Sequence, residues 1–316
     1  MNLSCILIMN VLVIGPGAIG CMFSHRAARS GAAVTVATRG LYHSEKVGIQ
    51  IRFPSKNIME TTQVRVVPCN DLQLQPYDVV LVTVKSKDTG EVGLMLRRGV
   101  EKGNITLETP VISLQNGMGN LEILNDAIGL DIAVPGLTYV GAIVREPFIV
   151  ENTGLGKTLI GSCSPAHPTF RNLTAFTELL KNDEVFLTDS ILNSMWTKLL
   201  VNICINPIAT ILNMSNSCVL LPNIEPLLDS LISEFIQVAK KENIELQLGR
   251  MNEKEYVKSV AFNSGTNICS MLADVRRKQP TEIESLNGFV LKKAKLHNIE
   301  TPVCATMYQL IKGISV

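Results

Sequence analysis

Residues 10–20 read "NVLVIGPGAIG", a short apolar run that ends in three glycines, Gly15, Gly17 and Gly20. The residues that follow, "CMFSHRAARSG", suit a helix and close at Gly31. Strand, tight turn and helix in that order are the context in which G-x-G-x-x-G cradles a dinucleotide. Gly15 permits the turn, Gly17 lets backbone approach a pyrophosphate, and Gly20 lets helix and strand pack closely. The helix start then offers unpaired N–H groups and the positive end of its dipole to phosphate.

Working outward, "AAVTVATR" (32–39) reads as the second strand and ends in Arg39, with no acid before Glu45. An acid at this point takes the ribose hydroxyls of NAD, whereas an arginine accommodates the 2′-phosphate of NADP. NADP is therefore the expected cofactor, the plainer alternative being an arginine that only solvates a loop. Further buried strands are expected at Val79–Val84 in "YDVVLVTVKSKDT" and in "PVISLQNGMGN". They end at Lys85 and at Asn116-Gly117. Ligands of open α/β sheets collect beyond the carboxyl ends of strands, so Lys85 and Asn116 are candidates for the same groove. Shorter strands at Ile132–Thr138 and Thr158–Ile160 and a covering helix in "HPTFRNLTAFTELLKN" complete this half.

From about Asp189 the pattern turns helical. Apolar periodicity and Gly or Pro breaks place helices at Ile191–Leu212, Ile224–Asn243, Glu253–Phe262, Asn267–Arg276, Glu282–His297 and Pro302–Ile311. The expected fold class is thus α/β, with an N-terminal Rossmann-type dinucleotide-binding domain (1–188) and a C-terminal all-α domain (189–316). A cleft between them is the expected ligand site. Within "WTKLLVNICINPIATILNMSN" (196–216), Lys198, Asn202 and Asn206 recur every fourth residue on an otherwise apolar helix. Residues four apart share a face, and each buried polar head without a partner costs about 1–3 kcal/mol. Such a row must meet polar neighbours, water or a ligand. Pro207 is expected to kink the helix after Asn206. In "SMLADVRRKQPTEIESLNG" (270–288), Thr281 and Glu284 match a capping box. That leaves Glu282 to favour the helix dipole or to face a ligand.

Bulk properties narrow the classes. The chain has 316 residues, long enough for two cores, and a net charge of +1 with no basic block, so a nucleic-acid partner is not expected. Its 8 cysteines are scattered without a C-x-x-C pair, as for reduced cytoplasmic thiols. The 4 histidines show no ligand spacing, so no metal is expected. No run reads as both long enough and free enough of charge to cross a membrane. A strand beginning near Met9 leaves residues 1–8 as a frayed extension.

Taken together, these motifs resemble the ketopantoate reductases (2-dehydropantoate 2-reductases), NADPH-dependent enzymes of pantothenate synthesis. The resemblance spans nearly the whole chain after residue 8. It rests on Gly15-Pro16-Gly17-Ala18-Ile19-Gly20, Arg39, Lys85 and the "NGMG" of Asn116–Gly119. It rests further on W-x-K-x-x-x-N-x-x-x-N-P at Trp196–Pro207, on Asn216, on "SML-x-D" at Ser270–Asp274 and on "TEIESLNG" at Thr281–Gly288. It implies Lys198 as general acid and Asn202, Asn206, Asn216 and Ser270 as substrate ligands. Lys85, Asn116, Ala142 and Glu282 would be cofactor contacts or contacts shared by cofactor and substrate. Ser217 stands where the family usually has glycine.

The chemistry is consistent. Hydride reduction of a ketone leaves an alkoxide, which a lysine can protonate. Neutral amides offer donors and acceptors without repelling a carboxylate. Two alternatives stand beside reduction of ketopantoate: the same chemistry on another 2-keto acid, or a redox sensor that binds NADP without turnover. A helical second domain is also compatible with a homodimer.

Overall fold

The computed structural model describes residues 8–40, 45–69 and 75–315. Residues 1–7 of the expected extension lie outside them. Two compact units result: Met1–Gln115 with Asn120–Ile191, and Asn116–Gly119 with Leu192–Val316.

The first unit begins with β1 (Asn10–Ile14), α1 (Ala18–Arg29), β2 (Ala33–Thr38), β3 (Glu45–Phe53), β4 (Ile58–Pro68) and β5 (Val79–Val82). It continues with α2 (Thr89–Glu101), β6 (Val111–Ser113), α3 (Asn120–Ile128), β7 (Ala133–Thr138) and β8 (Gly141–Glu146). It ends with β9 (Ile149–Gly154), β10 (Thr158–Gly161), α4 (Phe170–Leu179) and β11 (Val185–Thr188). Among the described residues the 11-stranded sheet has the order β11-β10-β7-β6-β5-β1-β2-β4-β3-β9-β8. Its centre, β4-β2-β1-β5-β6-β7, is parallel throughout. That is the doubly wound Rossmann arrangement.

Side chains alternate along β1 and so choose faces. Val11 and Val13 pack with Met22, Phe23 and Ala27 of α1 and Phe176 of α4. Leu12 and Ile14 pack with Leu96 of α2 and Leu124 of α3. Burial on both faces is why these strands read as unbroken apolar runs. β1 leads into α1 on one face while its neighbour β5 leads into α2 on the other. The sheet's topological switch point therefore lies between the ends of β1 and β5, at Gly15 and Lys85.

The second unit is helical: α5 (Ile191–Leu212), α6 (Glu225–Lys241), α7 (Glu253–Asn263), α8 (Ser270–Arg276), α9 (Phe289–Leu296) and α10 (Pro302–Ile314). Its core is organised on α5, where Trp196 meets Phe235 and Phe289 with ring centroids 5.5 and 5.7 Å apart. Glu234 of α6 is buried yet satisfied, because its carboxylate accepts the Val303 and Cys304 N–H groups at the start of α10, at 2.9 and 2.8 Å. Residues 116–119 join this unit. A Cβ on Gly117 would fall 2.4 Å from Ser285 Oγ, and the Met118 N–H donates to the Ser285 carbonyl at 2.8 Å.

Three expectations need correction. The capping box at Thr281 and Glu284 does not form. A π-helical turn occupies Glu284–Gly288 without a side-chain cap, and Glu284 instead accepts from Tyr308 at 2.7 Å and Lys312 at 2.8 Å. A reciprocal box forms at Asn252 and Glu255. The helix expected over Glu282–His297 is thus the π turn followed by α9. Finally, α5 is long and apolar enough to cross a membrane by length and composition, but most of it is buried inside the protein, as in a core helix. α5 also runs on through Pro207 to Leu212.

Candidate active site

The glycine turn has three distinct environments. Gly15 sits at φ +100°, where side chains are disfavoured, and a Cβ there would lie 2.7 Å from Val84 Cγ1. A Cβ on Gly20 would lie 2.0 Å from the Gly15 carbonyl oxygen. Thr83 Oγ1 ties the same corner together by donating to the Ile14 and Gly15 carbonyls, at 2.9 and 2.7 Å. Around Gly17, by contrast, a Cβ would meet nothing within 4 Å. Gly17 is the N-cap of α1, with no side-chain capping bond, and the first turn (Ala18, Ile19, Gly20) holds no acid. The first N–H groups of a helix lack intrahelical partners, so open backbone, dipole and absence of negative charge fit a dinucleotide pyrophosphate. Pro16 completes the turn by accepting from Cys21 Sγ at 3.4 Å.

Arg39 follows β2, with its side chain 65% exposed and its guanidinium gripped by Asp88 through two bonds of 3.1 and 2.9 Å. Lys85 is half-buried just before the short turn Ser86–Asp88. Ala142 lies in the edge strand β8 at a bulge, packed against the core cluster that α1 also joins.

The second unit gathers Lys198, Asn116 and Glu282. Lys198 Nζ donates to Asn116 Oδ1 at 3.2 Å, and Asn116 Nδ2 donates to Glu282 Oε2 at 3.3 Å. One amide thus spans a cation and an anion. The Ser285 hydroxyl and the tight fit of Gly117 hold the Asn116 segment in place. Burial pushes the Lys198 pKa down to about 8, with the Glu282 carboxylate acting in the opposite direction. An ammonium so poised is a far better acid near neutrality than an exposed lysine.

One and two turns farther along α5 lie Asn202, half-buried, and Asn206, 8% exposed. Among the described residues neither side chain makes a hydrogen bond. Asn216 donates to Ser264 Oγ at 3.1 Å, but its Oδ1 is buried without a partner. Ser270 is exposed at the start of α8. It follows Cys269, whose thiol contacts the Asn206 carbonyl at 3.7 Å and Thr210 Oγ1 at 3.8 Å. The Asn216 N–H in turn donates to the Asn267 carbonyl at 3.0 Å, so the 264–270 segment links Asn216 with Asn206. Ser217 causes no strain: it lies outside the left-handed region and its hydroxyl meets Ser215 at 3.0 Å.

Two residues escaped the sequence reading. Asp88 grips Arg39, and Ser285 secures Asn116. Strand order could have flagged Asp88, because β2 and β5 both flank β1 and their ends converge. No local pattern marks Ser285.

A doubly wound sheet with this glycine turn, joined to a helical unit carrying a lysine–amide constellation, defines a dinucleotide-binding oxidoreductase. Family profiles agree: "Ketopantoate reductase PanE/ApbA" matches residues 11–165, and its C-terminal counterpart matches 190–315. A 2-dehydropantoate 2-reductase of Pyrococcus horikoshii is 32% identical, with 96% of this chain and 97% of the relative covered. The chain belongs to the ketopantoate reductase family. Among solved structures, D-mandelate dehydrogenase with NADH and anilino(oxo)acetate superposes with a TM-score of 0.85 at 21% identity, covering 97% of this chain and 98% of that one. A dimeric ketopantoate reductase from Staphylococcus aureus gives 0.77 at 22%, covering 97% and 99%. At such identities the likeness is one of fold.

Proposed function

We propose that the chain reduces 2-dehydropantoate to pantoate with NADPH, the step that serves pantothenate synthesis. The observation that carries this reading is the Lys198–Asn116–Glu282 constellation, whose lysine shares a face of α5 with Asn202 and Asn206, two amides with unspent hydrogen-bonding groups. Gly15, Pro16, Gly17, Ala18, Ile19 and Gly20 would hold the pyrophosphate and Arg39 the 2′-phosphate. Lys85, Asn116, Ala142 and Glu282 would complete the cofactor contacts. NADPH held by these residues would supply the hydride for reduction of the C2 ketone. Lys198 donates its Nζ proton to the resulting C2 oxygen, is left neutral, and regains a proton from solvent. Asn202, Asn206, Asn216 and Ser270 hold the carboxylate and hydroxyl ends, offering donors without adding negative charge. The Glu282 carboxylate favours the charged form of Lys198, opposing the burial that lowers its pKa.

Residues 1–188 would serve the nucleotide and 189–316 the substrate. A homodimer, as the Staphylococcus aureus protein is described, and a cytoplasmic setting, favoured by the free thiols of the described cysteines, belong to the same proposal. A second 2-keto acid is the rival substrate, because a structural neighbour is a D-mandelate dehydrogenase. Comparing kcat/KM across a panel of 2-keto acids with NADPH separates the two. The expected result favours 2-dehydropantoate over benzoylformate and pyruvate by at least about a hundredfold, a floor below the roughly 10⁴–10⁵ that a site built to bind a substrate hydroxyl can reach. A higher value for an unhydroxylated keto acid would reassign the substrate. Absence of NADPH oxidation with every member would point to the sensor.

A further inference from the structure

We propose that Asp88 tunes coenzyme choice by competing with a ribose 2′-phosphate for Arg39. The margin of NADPH over NADH is then smaller than Arg39 alone would give. The inference rests on the reading of the glycine turn and Arg39 as the nucleotide site.

Asp88 occupies the N-cap of α2, where an aspartate ordinarily accepts from the N–H groups of the first turn. Here it makes no such bond. Both oxygens go instead to the Arg39 fork, Nη1 to Oδ1 at 3.1 Å and Nη2 to Oδ2 at 2.9 Å. The Asp88 side chain is 13% exposed, so the carboxylate is held in place while the guanidinium it grips faces solvent. Glu91 Oε2 lies a further 3.9 Å from Nη1. One cation is therefore flanked by two carboxylates.

A bidentate guanidinium is the geometry that recognises phosphate. In this protein that geometry is already engaged. A 2′-phosphate, carrying close to two negative charges, must take the fork from Asp88 and then sit beside both carboxylates. A ribose 2′-hydroxyl faces neither cost, and it can donate to Asp88 as it donates to the acid of NAD-binding sites. Asp88 thus supplies from the end of β5 the kind of group that β2 lacks. Glu91 is far more exposed, so solvent screens it and its influence is weaker.

Calorimetric titration with 2′-phospho-ADP-ribose and with ADP-ribose tests this without turnover. Asp88→Asn should bind the phosphorylated ligand about tenfold more tightly and ADP-ribose within about twofold of the wild type, a change of one charge at an exposed fork. Glu91→Gln should gain less than about threefold, consistent with its weaker pairing. Asp88 makes no capping bond and its partner guanidinium is exposed, so the variant should melt close to the wild-type temperature. Unchanged affinity for 2′-phospho-ADP-ribose in a normally folded Asp88→Asn would overturn the proposal. So would equal gains for the two ligands. Binding of neither ligand by the wild type would overturn the nucleotide reading as well, so the two failures are distinguishable.

Discussion

Lys198→Ala is expected to lose about 10²–10⁴-fold in kcat, the range typical of a missing general acid, while binding NADPH with near wild-type affinity. The two effects separate because they belong to different units. The glycine turn lies in the first unit, and Lys198 belongs to the second. Folding should survive, since alanine is the best helix former and the change removes a charge whose burial is already unfavourable, as its lowered pKa records. Asn116 and Glu282 lose a cation, so a modest rise in KM is also expected. Thermal melting and single-turnover rates with NADPH would check the fold and the chemistry separately. Turnover within a few-fold of wild type would remove Lys198 from the proton-donor role.

The next largest effects are expected at two glycines only three residues apart, and they should differ in kind. In Gly20→Ala the new methyl would lie 2.0 Å from the Gly15 carbonyl oxygen and 2.6 Å from Thr83 Oγ1. The first of these is backbone, so α1 must move off β1. Overpacking of this kind costs about 1–3 kcal/mol or more, and nucleotide binding should fall with it. In Gly17→Ala the methyl meets no protein atom within 4 Å and the backbone is at φ −71°. Stability should change by no more than about 0.5 kcal/mol. Affinity for NADPH should nevertheless fall at least about tenfold, because the methyl occupies the face that a pyrophosphate would approach. A folded Gly17→Ala that binds NADPH normally would argue that phosphate sits elsewhere.

The contrast explains what was legible in the sequence. The glycine turn could be read because Gly15 and Gly20 answer local steric demands while Gly17 leaves the start of α1 open, and the central parallel strands because burial on both faces leaves continuous apolar runs. The row on α5 could be read because four-residue spacing fixes a face. Less visible were β3, β4, β8, β9 and β11, whose mixed polar composition lacks that uniform burial, so the strands at 132–138 and 158–160 did not complete the sheet as expected. The Thr281–Glu284 pattern misled because a capping box is a local signal. Glu284 had distant partners in Tyr308 and Lys312, and the chain took a π turn there. Likewise the pairing of Arg39 with Asp88 spans 49 residues and depends on strand order. The role of Asn116 as a bridge between Lys198 and Glu282 joins residues 82 and 166 positions away, beyond any local pattern.

The pH dependence of kcat/KM for 2-dehydropantoate at saturating NADPH tests the central claim most directly, because that ratio reports the ionisations of the enzyme before substrate binds. Lys198 donates only when protonated, and burial brings its pKa to about 8. Activity should therefore hold below that value and decline above it, approaching tenfold per pH unit. The corresponding limb in kcat should shift upward, since a bound carboxylate favours the ammonium. A profile of kcat/KM that stays level to about pH 10, where an ordinary lysine would still be largely protonated, would contradict the assignment of a buried, acidified Lys198 as the proton donor.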